Sequence, residues 1–383
     1  MRYSIEPLFQ PFSLRGLSLK SRIAMSSMTR CHSPNGVPGQ NVADYYRRRA
    51  AAGVGLILTE GTGIDHPSAL GHGSMAEENV PVMYGEAALA GWKKVVDDVH
   101  AAGGLIMPQL WHMGVMRLDG TGPFKTAPSL RPSGIWGPEG KAMLPPEHLA
   151  KQLPVTRPMT DSEIADVIAG YARSAVSAKA IGFDGITIHG AHGYLIDTFF
   201  WAETNRRTDQ WGGDLLGRTR FGAEVIKAIR FAVGPDLPIV LRWSQWKQQD
   251  YDALLARTPH ELEAFLRPLV DAGVDLFDTS TRIFSKPAFD GSDTTLAGWT
   301  RKLSGKPSMA VGGVGLSKDL MSSFAGGTVT VNNLDQVTAH FERGEFDLLA
   351  VGRSLLVDPQ WALKARKNEP FLPFGLEAYG QLS

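Results

Sequence analysis

Eight short apolar runs punctuate the chain, at 22–25, 54–58, 104–107, 185–188, 238–241, 274–277, 308–311 and 347–351, and each closes on small or polar residues. Within a run the apolar character is nearly continuous. A strand buried on both faces reads that way, whereas a strand with one wet face alternates. Between the runs, apolar positions take a helical spacing. Trp92, Val95, Val96 and Val99 fall at i, i+3, i+4 and i+7 and make one stripe. Thr160 and Glu163 have the spacing of a capping box ahead of Ile164, Val167, Ile168, Tyr171 and Ala175. Thr258, Pro259 and Glu261 supply a cap, a first-turn proline and a third-position acid before Leu262, Phe265, Leu266 and Leu269. Pro268 is expected to kink or shorten that helix, because proline has no N–H to donate. Asp358 and Pro359 predict the start of the last helix in the same way.

Eight doubly buried strands alternating with helices describe an α/β chain and predict a (β/α)8 TIM barrel. The competing architecture is an open doubly wound sheet. That fold usually carries Gly-x-Gly-x-x-Gly in an early turn, and here Gly313-Val314-Gly315 meets Lys318 where the third glycine belongs. No linker or fixed-period repeat divides the sequence, so residues 1–383 are expected to form a single domain. The Gly- and Pro-rich stretch 113–159, after the third run, is expected to be an excursion that caps the barrel mouth.

In such a barrel the chemistry sits where strands pass into the following loops. The fourth run ends in His189-Gly190-Ala191-His192-Gly193-Tyr194, with two imidazoles three residues apart and a phenol two residues later. Two neutral donors can grip a carbonyl oxygen, and a phenol keeps its proton at neutral pH. The set suits reduction of an activated double bond, given a hydride source alongside. Other strand ends offer Ser27-Met28-Thr29, Gly61, Gln109 with Trp111, and Arg242. Gln109 presents a donor and an acceptor, suited to an imide edge, and Arg242 a permanent charge for a heterocycle that becomes negative. Gly312-Gly313-Val314-Gly315 and Gly352-Arg353 close the seventh and eighth runs, the natural phosphate site of the fold. Together these residues outline a flat polar ring with a phosphate tail.

Each residue also has a plainer reading. The histidine pair can ligate zinc, or be hydrogen-bonded mouth residues. Tyr194 and Trp111 can be core, Gln109 a satisfied amide, and Arg242 the partner of a buried carboxylate. The polar loop 205–213 reads as structural, organising the barrel mouth.

Composition narrows the field. Lys plus Arg and Asp plus Glu both number 39, so no basic excess points to nucleic acid or an anionic membrane. The single cysteine, Cys31, excludes an intrachain disulfide and a four-cysteine iron–sulfur cluster, and is expected to be an inert small apolar residue. Residues 1–7 lack the apolar core of a signal peptide and no run is long enough to span a bilayer, so a soluble cytoplasmic protein is expected.

Taken together, these strand ends resemble the Old Yellow Enzyme family of flavin-dependent ene-reductases, from Pro7-Leu8-Phe9 to Asp358-Pro359. The most specific pieces are Asp44-Tyr45-Tyr46-Arg47-Arg48-Arg49-Ala50, Gln109-Leu110-Trp111-His112, the His189 to Leu195 run and the loop from Asn205 to Gly213. The resemblance implies FMN held non-covalently, NADH or NADPH as reductant, and an α,β-unsaturated ketone or aldehyde as substrate. It puts Ser27, Met28 and Thr29 against the isoalloxazine, with Thr29 tuning its potential. Gly61, Gln109 and Arg242 fall at the pyrimidine side, and Gly313, Gly352 and Arg353 at the phosphate. His189 and His192 bind the substrate oxygen, and Trp111 shapes the pocket. Hydride passes from flavin N5 to the β-carbon, and Tyr194 protonates the α-carbon. Ser27 stands where the family often has proline, Thr29 where one branch has cysteine, and Trp211 where tyrosine is usual. The loop 280–291, with Phe284 and Phe289, is expected to line the pocket.

Two alternatives stay open: oxidative demethylation of a methylated amine at the same flavin, and a flavin-binding redox protein without turnover. A cation offers no oxygen to paired imidazoles, which weighs against the amine. The strand ends read above carry no Schiff-base lysine, which weighs against a flavin-free lyase or aldolase.

Overall fold

Eight strands hydrogen-bond in parallel and close into a barrel: β1 (Ile23–Met25), β2 (Leu56–Gly63), β3 (Leu105–Trp111), β4 (Ile186–His192), β5 (Ile239–Lys247), β6 (Leu276–Ser280), β7 (Ser308–Val311) and β8 (Leu348–Val351). Strands β8 and β1 pair to complete the ring. All eight apolar runs are therefore strands of one barrel. A computed structural model describes residues 4–72, 79–139, 142, 144, 146–324 and 326–383. The first three residues of the N-terminal heptapeptide, and positions 140, 141, 143 and 145 of the excursion, lie outside the described residues.

Near-continuous apolarity is needed because both faces of each strand are covered. Ala24, Leu56, Leu58, Met107, Val240, Met309, Leu348 and Ala350 fill the barrel interior. Their strand neighbours Ile23, Ile57, Ile106, Ile188, Leu241, Ala310 and Leu349 belong to the cluster shared with the outer helices. A hairpin that periodicity did not reveal, Phe12–Leu14 with Leu17–Leu19, packs Leu14 and Leu19 into the interior cluster. Its turn, Arg15-Gly16, takes two positive φ values, as a tight hairpin turn requires.

The helices follow their signals. Glu86–Ala101 buries Trp92, Val95, Val96 and Val99. Asp161–Ala180 carries the full Thr160/Glu163 capping box. In Pro259–Ala272 the Thr258 side chain accepts from Glu261 N. That helix runs past Pro268, contrary to the expected early stop. The carbonyl that loses its partner belongs to exposed Ala264, where water can replace the missing N–H. The helix Trp361–Lys367 starts later than Asp358-Pro359 implied, because the Asp358 carboxylate accepts from Gln360 N and holds a turn first.

Five strands run past their apolar cores. β2, β3, β4, β5 and β6 continue to Gly63, Trp111, His192, Lys247 and Ser280. Their polar ends still pair backbone to backbone, which apolarity cannot report. The excursion packs over this end of the barrel. Ser133 Oγ accepts from Arg206 N at 2.7 Å, Arg207 donates to the carbonyls of Pro132 and Met159, and buried Trp136 lies in the main core cluster. The loop 205–213 thus ties excursion to barrel, as expected, and Trp211 fixes its far end by donating to Asp161. Among the described residues no helix is long and apolar enough to cross a membrane.

Candidate active site

The turn after β4 sets the site. β4 and β5 pair in register from Ile186 opposite Ile239 to Gly190 opposite Trp243, then slip, leaving His192 opposite Lys247. His192 (φ +66°) and Gly193 (φ +81°) are both left-handed, and they swing the chain from strand into the short helix Leu195–Phe200, with Tyr194 at its N-cap. For a histidine that conformation costs about 1–2 kcal/mol, so it must be held. The segment 244–249 holds it. Ser244 Oγ accepts from His192 N at 3.0 Å, Gln248 donates to His192 O and Gln249 donates to Gly193 O. Asp197 Oδ2 accepts from Gly193 N at 2.7 Å, and its other oxygen pairs with Lys247 Nζ at 2.7 Å. β5 therefore ends on a lysine, beyond the strand end read from the sequence at Arg242. Lys247 is fully buried and committed to Asp197 and Ser244 O.

The expected aromatic set converges. The His189 ring lies 5.1 Å from His192, 4.8 Å from Tyr194 and 6.1 Å from Trp111, and Tyr194 lies 4.9 Å from Trp111. Gly61 makes room, since a Cβ there would sit 2.6 Å from Trp111 Cε3. Trp246, which sequence reasoning missed, stacks on the other side of His192 at 4.2 Å. Burial, and then Arg242, hold the His189 imidazole well below its usual pKa. His192 is held down by burial, then by His189, Arg242 and Lys247. Both rings are neutral near pH 7.

Arg242 realises two readings at once. It lies within β5, in register with His189, and it pairs with a fully buried carboxylate, Asp278, at 2.9 Å. The same Nη1 donates to Ser26 Oγ at 2.9 Å, beside the Ser27-Met28-Thr29 segment. Ser27 and Met28 are half-buried and Thr29 is exposed. Asp278, near the end of β6, was not anticipated as a site residue, although it follows the sixth run directly, whereas Ser280 opens the 280–291 segment expected to line the pocket. Ser280 Oγ lies 2.7 Å from His192 Nε2 and takes a bond from Arg242 at 3.4 Å.

Several buried polar atoms here have no hydrogen-bond partner among the described residues: Ser27 Oγ, Gln109 Nε2, Trp111 Nε1 and His189 Nδ1. Native interiors rarely leave such atoms unpaired, so the group of them marks a ligand position. An orphaned amide donor on β3 and a guanidinium on β5, on either side of β4, fit the imide edge of a flavin. Gly61 and Gln109 are register partners on adjacent strands.

After β7 and β8, Gly312, Gly313 and Gly315 all take positive φ, and Ser354 Oγ donates to Val314 O, joining the two loops. Gly352 packs against Met28 and Ser26. The Arg353 side chain is engaged within the protein. Its guanidinium donates to Lys318 O, Asp319 O and Ser323 Oγ, tying down the loop beyond β7. What remains to face an anion is its peptide N–H, at the start of the helix Arg353–Val357.

The two phenylalanines expected in the pocket are placed elsewhere. Phe284 and Phe289 turn to the outer helices, with ring centroids 6.0 Å from His340 and 5.8 Å from Trp299. Cys31 lies at φ +58° in the loop after β1, where Glu60 Oε2 accepts from its N–H and from that of Arg30.

A family model described as NADH:flavin oxidoreductase / NADH oxidase matches residues 7–371. This chain belongs to the Old Yellow Enzyme family. Among Old Yellow Enzyme relatives, 12-oxophytodienoate reductase 7 of Oryza sativa is 39% identical over 236 residues, which is 60% of this chain and 56% of that protein. The match thus spans little more than half of that relative. Morphinone reductase, solved in complex with tetrahydroNAD, superposes with a TM-score of 0.77 at 26% identity, over 97% of this chain and 93% of its own. The old yellow enzyme homologue of Zymomonas mobilis gives 0.77 at 25% identity, over 98% and 96%.

Proposed function

We propose that residues 1–383 form one FMN-binding barrel that uses NADH or NADPH to reduce the activated C=C bond of an α,β-unsaturated carbonyl compound in the cytoplasm. The observation that carries this reading is the meeting of His189, His192, Tyr194 and Trp111 around one point, beside the orphaned Gln109 amide and the Arg242 guanidinium. Gly61, Gln109 and Arg242 would hold the pyrimidine edge of FMN, and Ser27, Met28 and Thr29 would lie against its ring. The backbone at Gly313, Gly352 and Arg353 would take the phosphate. FMN held there would supply the hydride chemistry linking nicotinamide to substrate.

The protein's own groups do the rest. Two neutral imidazoles donate to the carbonyl oxygen, and their donation strengthens as that oxygen gains negative charge. Arg242 and Lys247 add positive potential on the same side. Tyr194 holds the proton needed at the α-carbon. Trp111, pressed against Gly61, walls the pocket. This electrostatic setting repels a cationic amine, so demethylation is the weaker reading. Retention of the donor set weighs against a flavin carrier without turnover.

Purified protein should be yellow, should bleach with NAD(P)H under anaerobic conditions, and should regain colour with an enone. Tyr194→Phe should slow reoxidation by the enone about 100-fold or more while leaving flavin reduction unchanged. A protein that cannot be loaded with FMN overturns the reading; a Tyr194→Phe enzyme with both half-reactions intact overturns the proton-donor role.

A further inference from the structure

The end of β6 meets the end of β4 through one hydroxyl. Ser280 Oγ lies 2.7 Å from His192 Nε2 and 3.4 Å from Arg242 Nη2, and Ser280 itself is buried. These are its two side-chain hydrogen bonds among the described residues. A serine hydroxyl has one proton to give and two lone pairs. Arginine can only donate, so Arg242 occupies a lone pair of Ser280 Oγ. Two arrangements remain for the bond to His192. If Nε2–H donated to Ser280, the hydroxyl proton would be left in a buried site without an acceptor. If Ser280 donates to Nε2, the hydroxyl proton, the Ser280 lone pair facing Arg242 and the Nε2 lone pair are all used. A stranded buried donor costs about 1–3 kcal/mol, enough to populate the satisfied arrangement by roughly tenfold or more.

The imidazole also stays neutral, since burial and the positive charges of Arg242 and Lys247 oppose a second ring proton. We propose that Ser280 is a positioning residue that fixes the tautomer of His192, holding Nε2 as an acceptor and leaving Nδ1–H as the ring's only donor. The orientation is locked from two further sides. Trp246 stacks on the ring face, and Ser244 holds the His192 peptide N–H. Arg242 is itself fixed by Asp278 and Ser26, so the chain begins at an immobile cation. Its consequence for catalysis rests on the reaction proposed above: a carbonyl oxygen would be met by Nδ1–H of His192, and not by Nε2.

The test is the tautomer itself. Protein labelled with 15N-histidine, purified with its flavin, is read by long-range 1H–15N correlation near pH 7.5, with His192→Asn assigning the resonance. The wild type should show a protonated Nδ1 and an unprotonated, hydrogen-bonded Nε2. Ser280→Thr, which keeps the hydroxyl, should retain that pattern, and Ser280→Ala should shift it toward Nε2–H. Enone turnover in Ser280→Ala should drop about tenfold, the worth of one hydrogen bond. Wild-type His192 protonated at Nε2 overturns the assignment, whether or not Ser280→Ala folds. An unchanged tautomer in a folded Ser280→Ala protein overturns it too. The spectra do not depend on turnover, so absence of enone reduction by the wild type would reject the proposed reaction and leave the tautomer standing.

Discussion

Lys247 Nζ lies 2.7 Å from Asp197 Oδ1, and neither side chain has any exposed surface. The pair joins the end of β5 to the helix that follows Tyr194. Through Asp197 Oδ2 it also holds the N–H of Gly193, so one ion pair fixes the turn between the two functional elements of β4. A buried pair is sensitive to loss of one member, because the survivor keeps its desolvation cost without its partner.

Lys247→Met should therefore lower stability by about 3–5 kcal/mol near neutral pH. Burial already raises the Asp197 carboxyl, and loss of the cation raises it further. A carboxyl whose folded pKa exceeds its unfolded one loses stability as pH rises between the two values. The deficit of Lys247→Met should accordingly be small near pH 4 and grow toward neutrality. Asp197→Leu combined with Lys247→Met should recover much of the stability. Urea unfolding of the three proteins between pH 4 and 8 checks this, and a deficit independent of pH would contradict it.

Glu60 offers a second pH effect. Burial pushes its carboxyl up to about 7, against donation from the peptide N–H groups of Arg30 and Cys31. The folded protein then holds a proton that the unfolded chain releases near 4.5, so stability should decline between about pH 4.5 and 7, by roughly 3 kcal/mol at most. Glu60→Gln removes the titration. It should match the wild type near pH 4 and exceed it at pH 8, as measured by urea midpoints; equal midpoints throughout would refute the shift.

Gly193→Ala meets two obstacles. Its φ of +81° disfavours any Cβ, and a Cβ built there overlaps Gln249 Oε1. The variant should lose about 1–3 kcal/mol of stability and displace Tyr194. Adding Gln249→Ala should relieve the overlap and leave the φ penalty, recovering only part of the loss. Thermal unfolding with enone turnover follows both terms, and full recovery in the double variant would show that φ contributes nothing.

Arg353 grips the loop beyond β7 with a planar fork that lysine cannot reproduce. Arg353→Lys should expose the 317–324 segment to limited proteolysis and weaken FMN retention about tenfold on ultrafiltration, the equivalent of one charge-assisted bond. Unchanged cleavage and retention would reduce Arg353 to a backbone role.

Much of this molecule was legible before folding. The eight runs are the eight strands, because continuous apolarity is the direct signature of a strand covered on both faces. His189, His192 and Tyr194 were legible too, since a short sequence interval places them at a single strand end. Chain-local patterns lost their force at polar strand ends. Apolarity stops at Leu241, yet β5 pairs on to Lys247, and the polar pair Asp278-Thr279 drew no assignment as site residues.

The amino-acid order by itself determined the barrel, its strand positions and which side chains reach the mouth, since burial pattern and capping are local and repeat with the period of each element. Only the tertiary structure decided what those side chains touch. Asp278 for Arg242, Ser280 for His192, Asp197 for Lys247 and the 318–323 loop for Arg353 are pairings between distant segments. Such a bond depends on the distance and direction between two atoms, and these exist only once the ring of strands has closed.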